Sequence, residues 1–293
     1  MFLLKLRLLN YFLNSWHYYP TFHYNSDMSI QALFNVTQLA ARKGAAELEF
    51  AVKKVHSLDA SKGSPDGYLQ AINRRVEGIV LEEIKRFYPE DNFLGAETGS
   101  EINNSNITWV LKAIDGEENF MNGYPHFCLS LSCLMDEKPV TAVVIDPIRR
   151  EEYSAQKGAG ATLDNGKIRV SKQQGIVGSM LSFATSSVSS SGYGYEFSKS
   201  YKELFNQDLQ MRNSGSIALD LCYIATGRLD GYWAHGVELW DVAAGLLIAK
   251  ESGALISDFN GDPKYLDGDH FICATPKCYK AILKSVKPYF EKY

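Results

Sequence analysis

The chain has 293 residues, 45% hydrophobic and 22% charged, with a formal net charge of −4. That is enough for one large domain or two small ones, and for a sizeable core without disulfides or structural metal. A net negative balance gives no basic field of the kind that nucleic acid selects, so no nucleic-acid signature is read. The five cysteines (Cys128, Cys133, Cys222, Cys273 and Cys278) are widely spaced, odd in number and set among apolar neighbours. They read as reduced core thiols of a cytoplasmic protein, and no C-x-x-C pair suggests a zinc or thioredoxin-type site.

Residues 1–27 differ from the rest of the chain: a Leu-rich start carrying Lys5 and Arg7, then a crowd of aromatics from Tyr11 to Tyr24. The charges interrupt the apolar stretch and no small-residue cleavage site succeeds it, so neither a signal peptide nor a membrane span is expected. The preferred reading is a non-family extension, with an interfacial or partner-binding helix as the alternative. From Ser29 to Lys54 apolar residues recur at helical spacing, with Ser29 as N-cap. Leu58 to Gly67 reads as loop, and Ala71 to Tyr88 as a second amphipathic helix stopped by Pro89.

Phe93 to Gly95 reads as a short strand. The apolar run Ile107 to Leu111 reads as a buried strand that ends on charge and a glycine at Lys112, Asp115, Gly116 and Glu117. Charged residues at a strand's carboxyl end are where open α/β sheets bind ligands, although an ordinary strand and solvated turn would have the same composition. Phe127 to Met135, Val140 to Asp146, Glu152 to Ala155 and Gly160 to Leu163 come next as strands. Asp164-Asn165-Gly166 is a hairpin-turn signal. Ser182 to Gly194 is rich in serine and glycine and reads as loop or poorly packed chain. Helices are expected over Tyr195 to Asn206, Ser216 to Ala225, Asp241 to Ser252 and Pro276 to Tyr289. Strands are expected at Asp230 to Trp233, Ala254 to Asp258 and His270 to Ala274. This alternation argues for α+β or layered α/β architecture.

Three stretches taken together resemble the inositol monophosphatase family of metal-dependent phosphatases. They are Phe93-Leu94-Gly95-Ala96-Glu97-Thr98, Trp109 to Phe120, and Glu238 to Gly245 with Trp240-Asp241. The family carries G-E-E-S/T, then W-x-I-D-P-I/L-D-G-T-x-N-F, then W-D-x-A-A-G. Gly123 to Phe127, Asp146-Pro147 and Gly215 to Leu221 also fit, and the resemblance runs from about Met28 to the C-terminus. It implies an αβαβα sandwich, with residues 28–170 as an N-terminal α+β half and residues 171–293 as a C-terminal α/β half. It also implies magnesium-dependent hydrolysis of a small phosphorylated polyol or sugar, and commonly a homodimer. Some bacterial members act in transcription complexes, so a protein partner is a further expectation of the resemblance.

Carried over residue by residue, the resemblance makes Glu97, Asp115 and Asp241 candidate metal ligands, and Glu97, Asp115 and Glu117 candidate catalytic residues. Gly116, Glu117, Gly215, Ser216, Ile217 and Ala234 become the phosphate- and substrate-binding candidates. The match breaks at chemically important positions. Ala96 stands for a metal-binding glutamate, Lys112 for a metal-binding aspartate, Ala113 for the proline, and Glu117 for the water-activating threonine. Tyr68 to Asn73 matches a strand leading to an aspartate, here Asn73. Ala234 replaces a carboxylate that holds sugar hydroxyls in inositol-hydrolysing members. A lysine ammonium repels a divalent cation in low dielectric, or takes its place and pairs with Asp115 or Asp241. Impaired catalysis with a binding or regulatory role is therefore expected. The alternative is an active magnesium-dependent phosphatase using Glu97, Asp115, Glu117 and Asp241. His126 and His235 are expected to be structural groups near the pocket rim.

Overall fold

A computed structural model describes residues 29–55, 65–185 and 194–290. The expectations for residues 1–27 fall outside the described residues, as do those for 58–64 and most of the serine-rich stretch. Five layers alternate. Helices α1 (Ile30–Val55) and α2 (Pro65–Lys85) cover one face of an eight-stranded sheet. In chain order its strands are β1 (Asn92–Gly95), β2 (Gly99–Glu101), β3 (Ile107–Asp115), β4 (Cys128–Met135), β5 (Lys138–Asp146), β6 (Glu151–Gln156), β7 (Gly160–Leu163) and β8 (Gly166–Lys167). They lie in the order β2-β1-β3-β4-β5-β6-β7-β8, antiparallel except for the β1–β3 pair. The short helix α3 (Glu117–Met121) comes directly after β3.

The second sheet holds β9 (Met180–Thr185), β10 (Gln210–Arg212), β11 (Gly231–His235), β12 (Leu255–Ser257) and β13 (His270–Ala274) in the order β10-β9-β11-β13-β12. Between the sheets lie α5 (Ile217–Ala225) and α6 (Leu239–Ser252); on the far face lie α4 (Gly194–Phe205) and α7 (Pro276–Val286). The αβαβα sandwich results from side-chain alternation. On β4, Leu129, Leu131 and Cys133 join the core under α1 and α2, while Cys128 joins the core under α5 and α6. On β11, Tyr232 and Ala234 face the central helices, and Trp233 faces α4 and α7. Strands covered on both faces need apolar residues at both parities, which is why these segments are nearly continuous hydrophobic runs. Every residue of α6 from Val242 to Ala249 is buried, as a helix held between two sheets requires.

Several boundaries differ from the sequence reading. The Tyr68–Asn73 stretch, expected as a strand by resemblance, lies inside α2, which begins at Pro65 rather than Ala71. Proline is well suited to a first helical turn, since its missing N–H has no intrahelical partner there. The run that opens at Ile107 continues as strand to Asp115, so Lys112 and Asp115 are strand residues and not turn residues. Residues 182–185 are strand, because β9 pairs with both β10 and β11. The turn at Asp164 and Asn165 holds both residues at positive φ, 48° and 66°, as a two-residue hairpin requires. Ser29 caps α1 through its hydroxyl, which accepts from the Ala32 N–H at 3.2 Å.

Candidate active site

The site forms where β3 ends and where α5 and α6 begin. In a regular strand, residues three apart point to opposite faces. On β3 the register against β4 shifts between Lys112, opposite Ser130, and Asp115, opposite Cys128. Three residues on one strand thus span two on the other, and this bulge brings Lys112 and Asp115 toward the same side. Gly116 then turns the chain into α3 with φ of +94°, and a Cβ there would lie 2.9 Å from the His126 carbonyl oxygen. A side chain at this position would be strained by the backbone and blocked by its neighbour.

Asp115 is buried and held from the start of α5. Its Oδ2 accepts from Ser216 Oγ at 2.5 Å and from the Ala218 N–H at 2.8 Å. Burial raises its carboxyl pKa to about 6, against the pull of the Ser216 hydrogen bond. Asp241 sits in the first turn of α6, where its Oδ2 accepts from the Glu238 N–H at 3.0 Å in a capping box. Its carboxyl is also raised, by burial first, with Lys112 opposing. Trp240 packs beside it in a small cluster with Leu94, Val110 and Leu134.

Lys112 occupies the middle of this group. Its Nζ lies 3.6 Å from Asp241 Oδ1, with 18% of the lysine side chain and 17% of the aspartate exposed. Burial draws the ammonium down, but Asp241, then Glu117 and Asp115, outweigh it and hold Lys112 above the ordinary lysine value. The lysine is therefore charged among three carboxylates.

Glu117 is held from α2, where Asn73 Nδ2 donates to Glu117 Oε1 at 2.9 Å. The amide of Asn73 thus meets a carboxylate directly. Glu97 takes a different course: its carboxylate lies 3.4 Å from Arg74 Nε, in a partly exposed pair. What fixes the Ala96–Thr98 turn is Glu77, a buried residue of α2 that sequence reading passed over. Its Oε1 accepts from the Glu97 N–H at 2.9 Å and its Oε2 from the Thr98 N–H at 2.7 Å. In the sequence it reads as an ordinary helical acid; Asn73 and Glu83 are buried on the same helix.

The loop before α5 leans on α3. Gly215 has φ of +86°, and a Cβ there would lie 2.8 Å from Asn119 Nδ2, the group that donates to the carbonyls of His126 and Ser214. Ser216 is committed to Asp115, and Ile217 opens α5. Asp220, also missed, is buried and accepts from Ser182 Oγ at 2.6 Å and Ser214 Oγ at 2.7 Å. His126 is buried, its Nε2 3.5 Å from Asp220 Oδ1 and without a hydrogen bond among the described residues. Ala234 is buried within β11. Lys112, Asp115, Glu117 and Asp241 are thus one electrostatic group, Asn73 adjoins it, and Glu97 is tied to Arg74.

The model of the inositol monophosphatase family matches residues 29–290. The chain belongs to the inositol monophosphatase family. It is 34% identical over 257 residues to the Nus factor SuhB of Pasteurella multocida, covering 87% of this chain and 96% of that one. It is 31% identical over 275 residues to the Nus factor SuhB of Pseudomonas aeruginosa, covering 89% and 97%. Among solved structures it resembles extragenic suppressor protein suhB from Bartonella henselae, with a TM-score of 0.79 at 27% identity over 87% of this chain and 98% of that one. Inositol monophosphatase from Anabaena gives a TM-score of 0.77 at 26% identity over 90% and 99%. Family membership makes magnesium the ion against which this site is judged. Among the described residues, no helix is long and apolar enough to cross a membrane.

Proposed function

We propose that this chain is an inositol monophosphatase-family protein whose phosphatase chemistry is impaired and whose role is binding or regulation. The observation that carries the reading is the Lys112 ammonium, 3.6 Å from Asp241 Oδ1 and within the fields of Asp115 and Glu117. Magnesium demands near-octahedral oxygen ligands at about 2.0–2.1 Å. The donor set here does not fit it. Ala96 offers no side-chain oxygen, Asn73 turns an N–H toward Glu117, and Glu97 is engaged by Arg74. A fixed positive charge stands among the remaining carboxylates, and a divalent ion there would have to displace it against strong repulsion. A lysine offsets one negative charge of the cluster and could attract a phosphate as a point charge, but it cannot lower the pKa of a bound water as a metal does.

Relatives that bear the name Nus factor support a role of that kind. The five cysteines are free and buried, which suits a reducing cytoplasm. The test is calorimetry with magnesium, together with phosphate release from inositol monophosphate. The native chain is expected to bind magnesium weakly and to release phosphate near background. The triple variant Lys112→Asp, Ala96→Glu, Glu117→Thr restores two carboxylates and a hydroxyl, and is expected to gain magnesium affinity. Tight magnesium binding and rapid turnover by the native chain would overturn the reading in favour of a metal site built from Glu97, Asp115, Glu117 and Asp241.

A further inference from the structure

A different cluster lies at the end of β11, and it contains none of the carboxylates around Lys112. His235 closes β11 and His270 opens β13, and the two are direct partners in the antiparallel ladder. Residues directly opposite in such a pair project from the same face, so both imidazoles emerge side by side. Their rings are nearly parallel, 11° apart, with centroids 6.0 Å from each other. Asp269 precedes His270, and its backbone carbonyl accepts from the Val237 N–H at 3.0 Å, which pins the chain beside the end of β11. Its carboxylate reaches both rings, with Oδ1 3.0 Å from His270 Nδ1 and Oδ2 3.9 Å from His235 Nε2.

We infer that His235, Asp269 and His270 form a transition-metal site that takes a divalent ion of the zinc class. One donor atom from each residue lies within 4.8 Å of the other two. Tetrahedral zinc with bonds of about 2.0–2.1 Å places its ligand atoms roughly 3.3 Å apart. Asp269 Oδ1 already lies at that spacing from His270, Asp269 Oδ2 exceeds it toward His235 by a fraction of an ångström, and the two imidazole nitrogens and one carboxylate oxygen have to draw together from within 4.8 Å. Closing the gap needs movement only from Asp269, 57% exposed, and His270, 27% exposed; His235 is buried and stays fixed. A structural ion pair alone accounts for Asp269 and His270. It does not account for a second imidazole aimed at the other oxygen of the same carboxylate.

The surroundings suit such a site. Phe259 packs on His270 with ring centroids 4.7 Å apart, and Phe290 stacks on His235 at 6.1 Å. These rings wall one side with apolar surface and hold the imidazole planes, as shells around metal ligands do. Two imidazoles and one carboxylate select zinc, nickel or cobalt over magnesium or calcium, and leave a fourth position for water.

Zinc titration of the full chain by calorimetry, with melting temperature as a second readout, is the test. His17, His23 and His56 also occur in the chain, so stoichiometry alone does not identify the site. The comparison with His270→Ala and Asp269→Asn does, and both positions are exposed enough to change without emptying the core. Each variant is expected to weaken the tightest zinc binding by about tenfold or more and to lose the zinc-dependent rise in melting temperature. Zinc binding that is the same in the native chain and in both variants overturns the assignment, as does magnesium competing equally for the site.

Discussion

Replacing Lys112 by methionine keeps most of the side-chain volume and removes the charge. At 3.6 Å from Asp241 the ion pair has a Coulomb energy of about 5 kcal/mol with an effective dielectric constant near 20. Desolvation of the lysine cancels part of this, but removing one partner of a buried pair strands the other, at a cost of roughly 3–5 kcal/mol. The pair keeps some solvent contact, so a loss of about 2–4 kcal/mol is expected at pH 8. The loss must depend on pH. Asp115 has a folded pKa of about 6, above its unfolded value, so the native state binds more protons than the unfolded state between those values. Its contribution is therefore favourable at low pH and fades as pH rises through about 6. Asp241 is shifted in the same direction. Without the ammonium both carboxyls rise further, and at pH 5 Asp115, already at about 6, is protonated instead of standing as an uncompensated charge. The loss should shrink to about 1 kcal/mol there. Urea unfolding of both proteins at pH 5, 6.5 and 8 measures it. An equal loss at pH 5 and pH 8, or a methionine variant more stable at pH 8, would refute the reasoning.

Two further outcomes concern the frame around the site. Asp146 is fully buried at the end of β5, accepting from the Ile148 and Arg149 N–H groups at 2.8 and 2.9 Å and from Arg149 Nη1 at 2.7 Å. Asp146→Ala should lower stability by about 2–4 kcal/mol in chemical denaturation, and Asp146→Asn should lose less because it can still accept from the backbone. A chain beginning at Met28 should melt within a few degrees of the full chain in calorimetry, because the family match begins at residue 29 and the composition before it does not join the family pattern. Failure to obtain it as soluble protein would show that the first residues contribute to the fold.

Most of the elements could be read from the chain itself. Period in the apolar residues marked α1 and α2, continuous apolar runs marked β4 and β5, and Asp164-Asn165-Gly166 marked the β7–β8 hairpin, because each is set by contacts close in sequence. The replacements at Ala96, Lys112 and Glu117 were equally legible, since they needed only the motif's order. Tertiary structure decided where those side chains go. Glu97 and Ala96 are neighbours in the chain, yet Glu97 is taken by Arg74 from another element. Glu77 looked like an ordinary helical acid until two N–H groups, twenty and twenty-one residues later, were found on its carboxylate. Lys112 and Asp115 share a face only because β3 carries one more residue than β4 between two ladder positions, and strand register is a property of a pair. His235 and His270 are 35 residues apart and meet through the same kind of pairing. Local propensity and periodicity act within a few residues and are written in the chain. The charge on a carboxylate depends on which distant groups fold onto it and how much water they exclude, and that was set only when the five layers closed.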